Sequence, residues 1–233
     1  MVLFDKANCL AVSFALNIVG WIFAMVSMGL PNWRTWYIES SPAPSWGLVS
    51  VGMWKVCSYQ PSGLQTRPIV CHRYTYSDTY LPLHIRFPQH LLLVAFLLSL
   101  LGKGLMVLAL RRVYMGQLQK DTPGNLFLAP RILSIIAGAF IAIAVLCNYH
   151  AVLNEEGIDF PPSFHIPYRP DRQEIGSTVY LAILAALLML FSGLFTISFQ
   201  QPPNSQMYPQ SPKCKVPSCI SLQIHDEQFM EVK

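Results

Sequence analysis

Four stretches of this chain, Leu10 to Leu30, Leu91 to Leu110, Leu126 to Tyr149 and Ser177 to Phe199, are long and almost uncharged. Each meets the roughly 20 residues that a helix needs to cross a hydrocarbon core about 30 Å thick. A segment in lipid must satisfy its backbone hydrogen bonds internally, so each is read as a helix. Together they predict an all-α transmembrane four-helix bundle, one compact membrane domain over residues 10–199. With 53% apolar and only 12% charged residues, the chain has too little polar surface for a water-soluble domain of its 233 residues. The first run is too long for the core of a cleaved signal peptide and ends in Met28-Gly29-Leu30-Pro31, so it is expected to stay.

An even number of spans puts both ends on one side. The joint between spans two and three holds Arg111, Arg112, Lys120 and Arg131, a denser basic content than that of the longer segments 31–88 and 150–176, which together carry seven Lys and Arg. Basic density therefore places the inner loop 111–125, the N-terminal residues 1–9 and the tail 200–233 in the cytosol. The tail turns to Gln, Pro and Ser without a periodic apolar face and reads as disordered. The net charge of +4 is scattered, so no nucleic-acid surface is expected.

The outer segment 31–88 is too long for a plain connection. Its β-branched and aromatic runs, Trp33 to Ile38, Leu48 to Tyr59 and Ile69 to Tyr76, are separated by Pro and Gly and read as strands of a small antiparallel extracellular β-sheet. Simple alternation puts Val49, Val51, Met53, Lys55 and Cys57 on one face of the middle run. Cys57 and Cys71 are the cysteine pair placed outside, where thiols oxidise, and a disulfide between them is expected. The second outer segment is Pro-rich and acidic, with Phe160, Phe164, Ile166 and Tyr168 as apolar tip candidates for contact with a partner outside the cell.

Within the spans, small residues mark close helix approach: Ser134, Gly138 and Ala142 on span three, and Ala182, Ala185, Ala186 and Gly193 on span four. Asn17 is expected to make an interhelical hydrogen bond. Lys103, eight positions before Arg111, is expected to snorkel toward the headgroups. There is no Cys-x-x-Cys pair, His-Glu-x-x-His helix, phosphate loop or nucleophile elbow, so neither catalysis nor a cofactor or metal is expected.

Trp33, then Gly52-Met53-Trp54, then Cys57 and Cys71 resemble the first-loop signature of the claudins: Trp, Gly-Leu-Trp and two cysteines on four spans. Gly20-Trp21-Ile22, Leu30-Pro31-Asn32-Trp33-Arg34 and Glu174-Ile175-Gly176 are similar to that family's first helix, its exit and the start of its fourth helix. Further matches, at Tyr74-Thr75-Tyr76 and at Asn154 to His165, resemble a divergent member, and the likeness covers about residues 8–199. Departures are Met53 for Leu, a longer interval between the cysteines, Gln89 where Arg is usual, and Asn148-Tyr149 where Trp-Tyr is common.

The resemblance implies a multi-pass plasma-membrane protein of the tight junction. Its partners would be itself or other claudins, side by side and across the gap, with lipid around it. It also implies that Trp33, Gly52 and Trp54 anchor the sheet and that Cys57 with Cys71 locks it. Cation-pore claudins tend to carry acids just after a loop cysteine. Here Ser58, His72 and Arg73 hold the candidate pore-charge positions, so a barrier or weakly anion-favouring element is expected. The final Met230-Glu231-Val232-Lys233 lacks the apolar last side chain that a PDZ pocket takes, so PDZ scaffold binding is not expected. The competing reading is an auxiliary subunit of the calcium-channel gamma or peripheral-myelin type. Such proteins usually carry an Asn-x-Ser/Thr acceptor in the first loop, and this chain has none.

Overall fold

The computed structural model describes residues 2–40, 45–62, 65–75, 78–114 and 125–198. The helices are α1 (Val2–Gly29), α2 (Leu83–Tyr114), α3 (Asn125–Leu153) and α4 (Ser177–Ser198). Their apolar spans, Ala11–Gly29, Leu83–Ala109, Leu128–Leu153 and Ser177–Phe195, are each long enough to cross a membrane. Outward-facing Leu97, Leu101, Leu146, Leu187 and Phe191 are exposed, as lipid-facing side chains would be, while the interior of the bundle is built from Ala137, Ile141, Ala144, Ala182, Ala185 and Met189.

Close packing follows the small residues. A Cβ on Gly138 would stand 3.0 Å from Leu190 and 3.2 Å from the Ala186 carbonyl, and one on Gly20 would meet Met189 at 3.0 Å. Helices in lipid gain little from burial as such, so this close van der Waals approach is what holds α1, α3 and α4 together. Asn17 of α1 donates to the Ser134 hydroxyl of α3, which in turn donates to the Met189 carbonyl of α4 at 3.2 Å.

Between α1 and α2 come β1 (Arg34–Ser40), β2 (Ser45–Val51), β3 (Lys55–Ser62) and β4 (Gln65–Arg73). The second outer segment adds β5 (Arg172–Ile175) beside β1, giving an antiparallel sheet ordered β4-β3-β2-β1-β5. This corrects the sequence reading twice. The sheet has five strands rather than three, and Leu48 to Tyr59 is two strands joined by a reversal at Gly52-Met53-Trp54.

That reversal also corrects the expected faces. Val51 pairs with Val56 and Ser50 with Cys57, and directly paired residues share a face. Trp36, Val49, Val51 and Val56 therefore point inward over a second core with Ile85, Ile158 and Phe160, while Lys55 and Cys57 lie on the opposite, outer face.

Helix ends differ from the expected spans as well. α1 reaches back to Val2, α3 runs on to Leu153, and α2 starts at Leu83, so His84 to Pro88 are helical rather than loop. Arg131, counted above with the inner joint, is buried within α3. α3 ends where Glu155 takes a left-handed φ of 50°, its N–H bonding the Val152 carbonyl and that of Glu156 the Ala151 carbonyl. The expected inner loop is described only as far as the ends of α2 and α3, and the tail 200–233 lies outside the described residues.

Candidate functional site: the outer sheet and its supports

The anchor of the sheet is the α1 exit. Trp33 is 1% exposed, and its indole N–H donates to the Ser27 carbonyl at 2.8 Å. Its own carbonyl accepts the Gly176 N–H at 3.0 Å and the Asn148 side-chain amide at 3.4 Å. One residue thus ties α1, α3 and the start of α4 to β1.

Glycines make these junctions possible. A Cβ on Gly52 would fall 2.6 Å from the Pro31 Cα and 2.9 Å from the Leu30 carbonyl, and one on Gly176 would overlap the Asn32 carbonyl. Met53 is buried, with its carbonyl accepting from the Gln89 amide, and Trp54 packs on the bundle core. Gln89, one of the departures from the claudin pattern, thereby links α2 to the reversal.

The second departure, Asn148, is fully buried. Its side-chain oxygen accepts the Arg34 Nε–H at 2.7 Å. Arg34 is 1% exposed, and burial lowers its pKa to about 10 despite the opposing attraction of Glu156. The Tyr74 phenol beside it is raised well above its ordinary value, chiefly by burial and then by Tyr80.

Cys57 and Cys71 are directly paired across β3 and β4 and joined by a disulfide. The bond closes a loop between residues 14 apart in sequence, which the chain-entropy account values at about 3 kcal/mol. Replacing Cys71 by Ser is expected to lower the melting temperature of the purified protein, and reduction of the wild type is expected to do the same. Unchanged melting in both cases would show that the bridge does not brace the sheet.

The expected contact residues separate. Phe160 is only 6% exposed and belongs to the core beneath the sheet, so it is not a tip residue. The Phe164 ring stacks on His72 at 3.9 Å, and Ile166 is half-buried beside it, which leaves Tyr168, 59% exposed, as the apolar side chain open to a partner. Ser58 and His72 line a groove under the second outer segment with Phe164, His165 and Ile166, while Arg73 is exposed on the outer face.

Charges are also redistributed. Arg34 is internal, and Glu156 meets His84 of α2 at 2.6 Å. Glu174 on the outer face is held by Arg172 and accepts the Tyr37 hydroxyl at 3.3 Å. Glu156 of the acidic second segment is thus drawn to the buried Arg34 of the first, while the Arg172–Glu174 pair is internal to the second.

The sequence pattern of the family described as PMP-22/EMP/MP20/Claudin tight junction matches residues 18–198. Bovine (Bos taurus) Claudin-2 is 26% identical over 192 residues, 79% of this chain and 75% of the relative. Human Claudin-6 is 29% identical over 181 residues, 76% of each chain. Human Claudin-19 is 27% identical over 205 residues, 85% of each. With four apolar helices, a cystine-linked sheet and this match over most of its length, the chain belongs to the PMP-22/EMP/MP20/Claudin tight junction family.

Proposed function

We propose that the chain is a structural, adhesive element of the tight junction. In this reading it lies in the plasma membrane with both termini cytosolic and associates with itself or other claudins side by side and across the gap. Its work is contact rather than catalysis. We further propose that it acts as a barrier or weakly anion-favouring element and not as a cation pore.

The observation that carries the selectivity reading is the charge of the outer sheet face. Among its described side chains, Lys55, Arg73 and Arg172 face one carboxylate, Glu174, which Arg172 already binds. A sodium-selective path needs carboxylates free to replace water around the ion. The positions following the two cysteines offer a hydroxyl at Ser58 and an aromatic-stacked imidazole at His72 instead.

The test is a dilution potential across epithelial monolayers depleted of their own claudins and expressing this chain. The expected result is raised resistance, with sodium no more permeant than chloride. A strong sodium preference would contradict the proposal.

A further inference from the structure

At the sheet end of the bundle, α2 and α3 leave an open groove of about 680 Å³ between them. Small-molecule sites fall in the range of about 300–1,000 Å³. The lining follows helix periodicity: Leu83 and Phe87 stand one turn apart on α2, while Ile143, Leu146, Cys147 and His150 recur at steps of three and four along α3. Leu83, Phe87, Ile143 and Leu146 are exposed, although all four belong to spans long and apolar enough to cross a membrane. The groove therefore opens toward lipid.

Its depth is that of one leaflet. Leu83 opens the α2 span and Leu153 closes the α3 span, so both mark the membrane boundary on the side of the sheet. Ile143 precedes Leu153 by ten residues, about 15 Å along a helix. The groove thus runs from the boundary through half of a hydrocarbon core about 30 Å thick. Its apolar wall lies in that half, and its polar rim of His84, His150 and Glu156 lies close to headgroup level.

The rim selects the head of the occupant. His84 Nδ1 lies 2.6 Å from Glu156 and pins the carboxylate at the mouth, yet leaves that side chain 34% exposed. Among the described residues no Lys or Arg lines the groove. Lys103, whose sequence position pointed to the headgroups, instead turns inward toward the other end of α2, where its Nζ donates to the Asn17 side-chain oxygen at 3.0 Å. A phosphate-bearing headgroup would find here none of the basic groups that recognise such heads between membrane helices, and would face a carboxylate instead. A neutral head that donates one hydrogen bond is complementary. The wall selects the body, because a rigid ring system loses less freedom than an acyl chain when it is held against Phe87 and Ile143.

We propose that this groove binds a membrane sterol, its fused rings against Phe87, Ile143 and Leu146 and its hydroxyl donating to the Glu156 carboxylate. The site faces lipid and does not depend on how the outer sheet functions.

The test uses the full chain in phosphatidylcholine nanodiscs containing a photoactivatable cholesterol analogue, with the labelled peptides mapped by mass spectrometry. Labelling is expected to concentrate on α2 and α3 at the groove and to disappear under excess cholesterol. Epicholesterol, whose hydroxyl has the opposite configuration, should compete roughly tenfold less well, the scale of one hydrogen bond. Leu146→Trp fills the groove from a lipid-exposed position and should abolish the labelling, while Glu156→Leu should weaken it roughly tenfold, by the same bond. Label spread evenly over the four helices of the wild type would overturn the proposal without recourse to a variant that fails to fold. Equal competition by the two epimers would also overturn it. So would displacement by phosphatidylethanolamine as effective as by cholesterol, which would mark a phospholipid site.

Discussion

Trp33→Ala is expected to remove about 3–5 kcal/mol of folding stability, the range for deleting a buried Trp. The side chain is 1% exposed and its indole N–H is committed to the Ser27 carbonyl at 2.8 Å, so truncation opens a cavity and also orphans an acceptor. The same position joins three other elements through its backbone, so the loss should extend to the sheet. Thermal unfolding of purified protein, followed by near-ultraviolet circular dichroism, would show the shift, and cells should retain most of the variant before it reaches the surface. Trp33→Phe keeps most of the packing and should lose only about 1–2 kcal/mol, the scale of one buried hydrogen bond. Equal damage from both variants would mean that the hydrogen bond, rather than the ring volume, holds the joint.

Asn148→Leu should cost about 3 kcal/mol, the upper end for a buried group left unsatisfied, because the orphaned donor is a charged guanidinium. Arg34 Nε donates to Asn148 at 2.7 Å, and the depressed pKa of Arg34 reflects a charge that burial already disfavours. The consequence is specific. Arg34→Met combined with Asn148→Leu replaces both members by apolar groups and should recover much of the loss, so a double-mutant cycle should give strong coupling. Additive losses would show that the two residues do not act as a pair.

Much of this architecture was legible from particular residues. The four spans follow from uninterrupted apolar length, and the cysteine pair from being the one placed in an oxidising compartment. Three features were hidden for physical reasons. Alternation runs on through Gly52-Met53-Trp54 without a break, so nothing local marks the reversal, and only the fit of Gly52 beneath Pro31 makes a Cβ-free residue necessary there. β5 reads Arg-Gln-Glu-Ile, with no strand propensity of its own, and exists because β1 offers it an edge.

The start of α2 carries His84, Arg86 and Pro88, which read as loop. There Ile85 enters the core beneath the sheet and His84 meets Glu156, so tertiary partners override local preference. The bond between Arg34 and Asn148 spans 114 positions in sequence and leaves no local signature. Lys103 was misread for a related reason: its spacing from Arg111 was visible, but the acceptor on α1 that draws it inward was not.

In the proposed function, a cystine-braced sheet on four membrane helices works by polymerising with its neighbours. Expression of the chain in fibroblasts that make no junctions of their own, followed by freeze-fracture of the contact zones, tests this most directly. Continuous intramembrane strands confined to cell contacts are predicted. Normal surface delivery with particles scattered evenly over the membrane would contradict the claim and favour an auxiliary-subunit role.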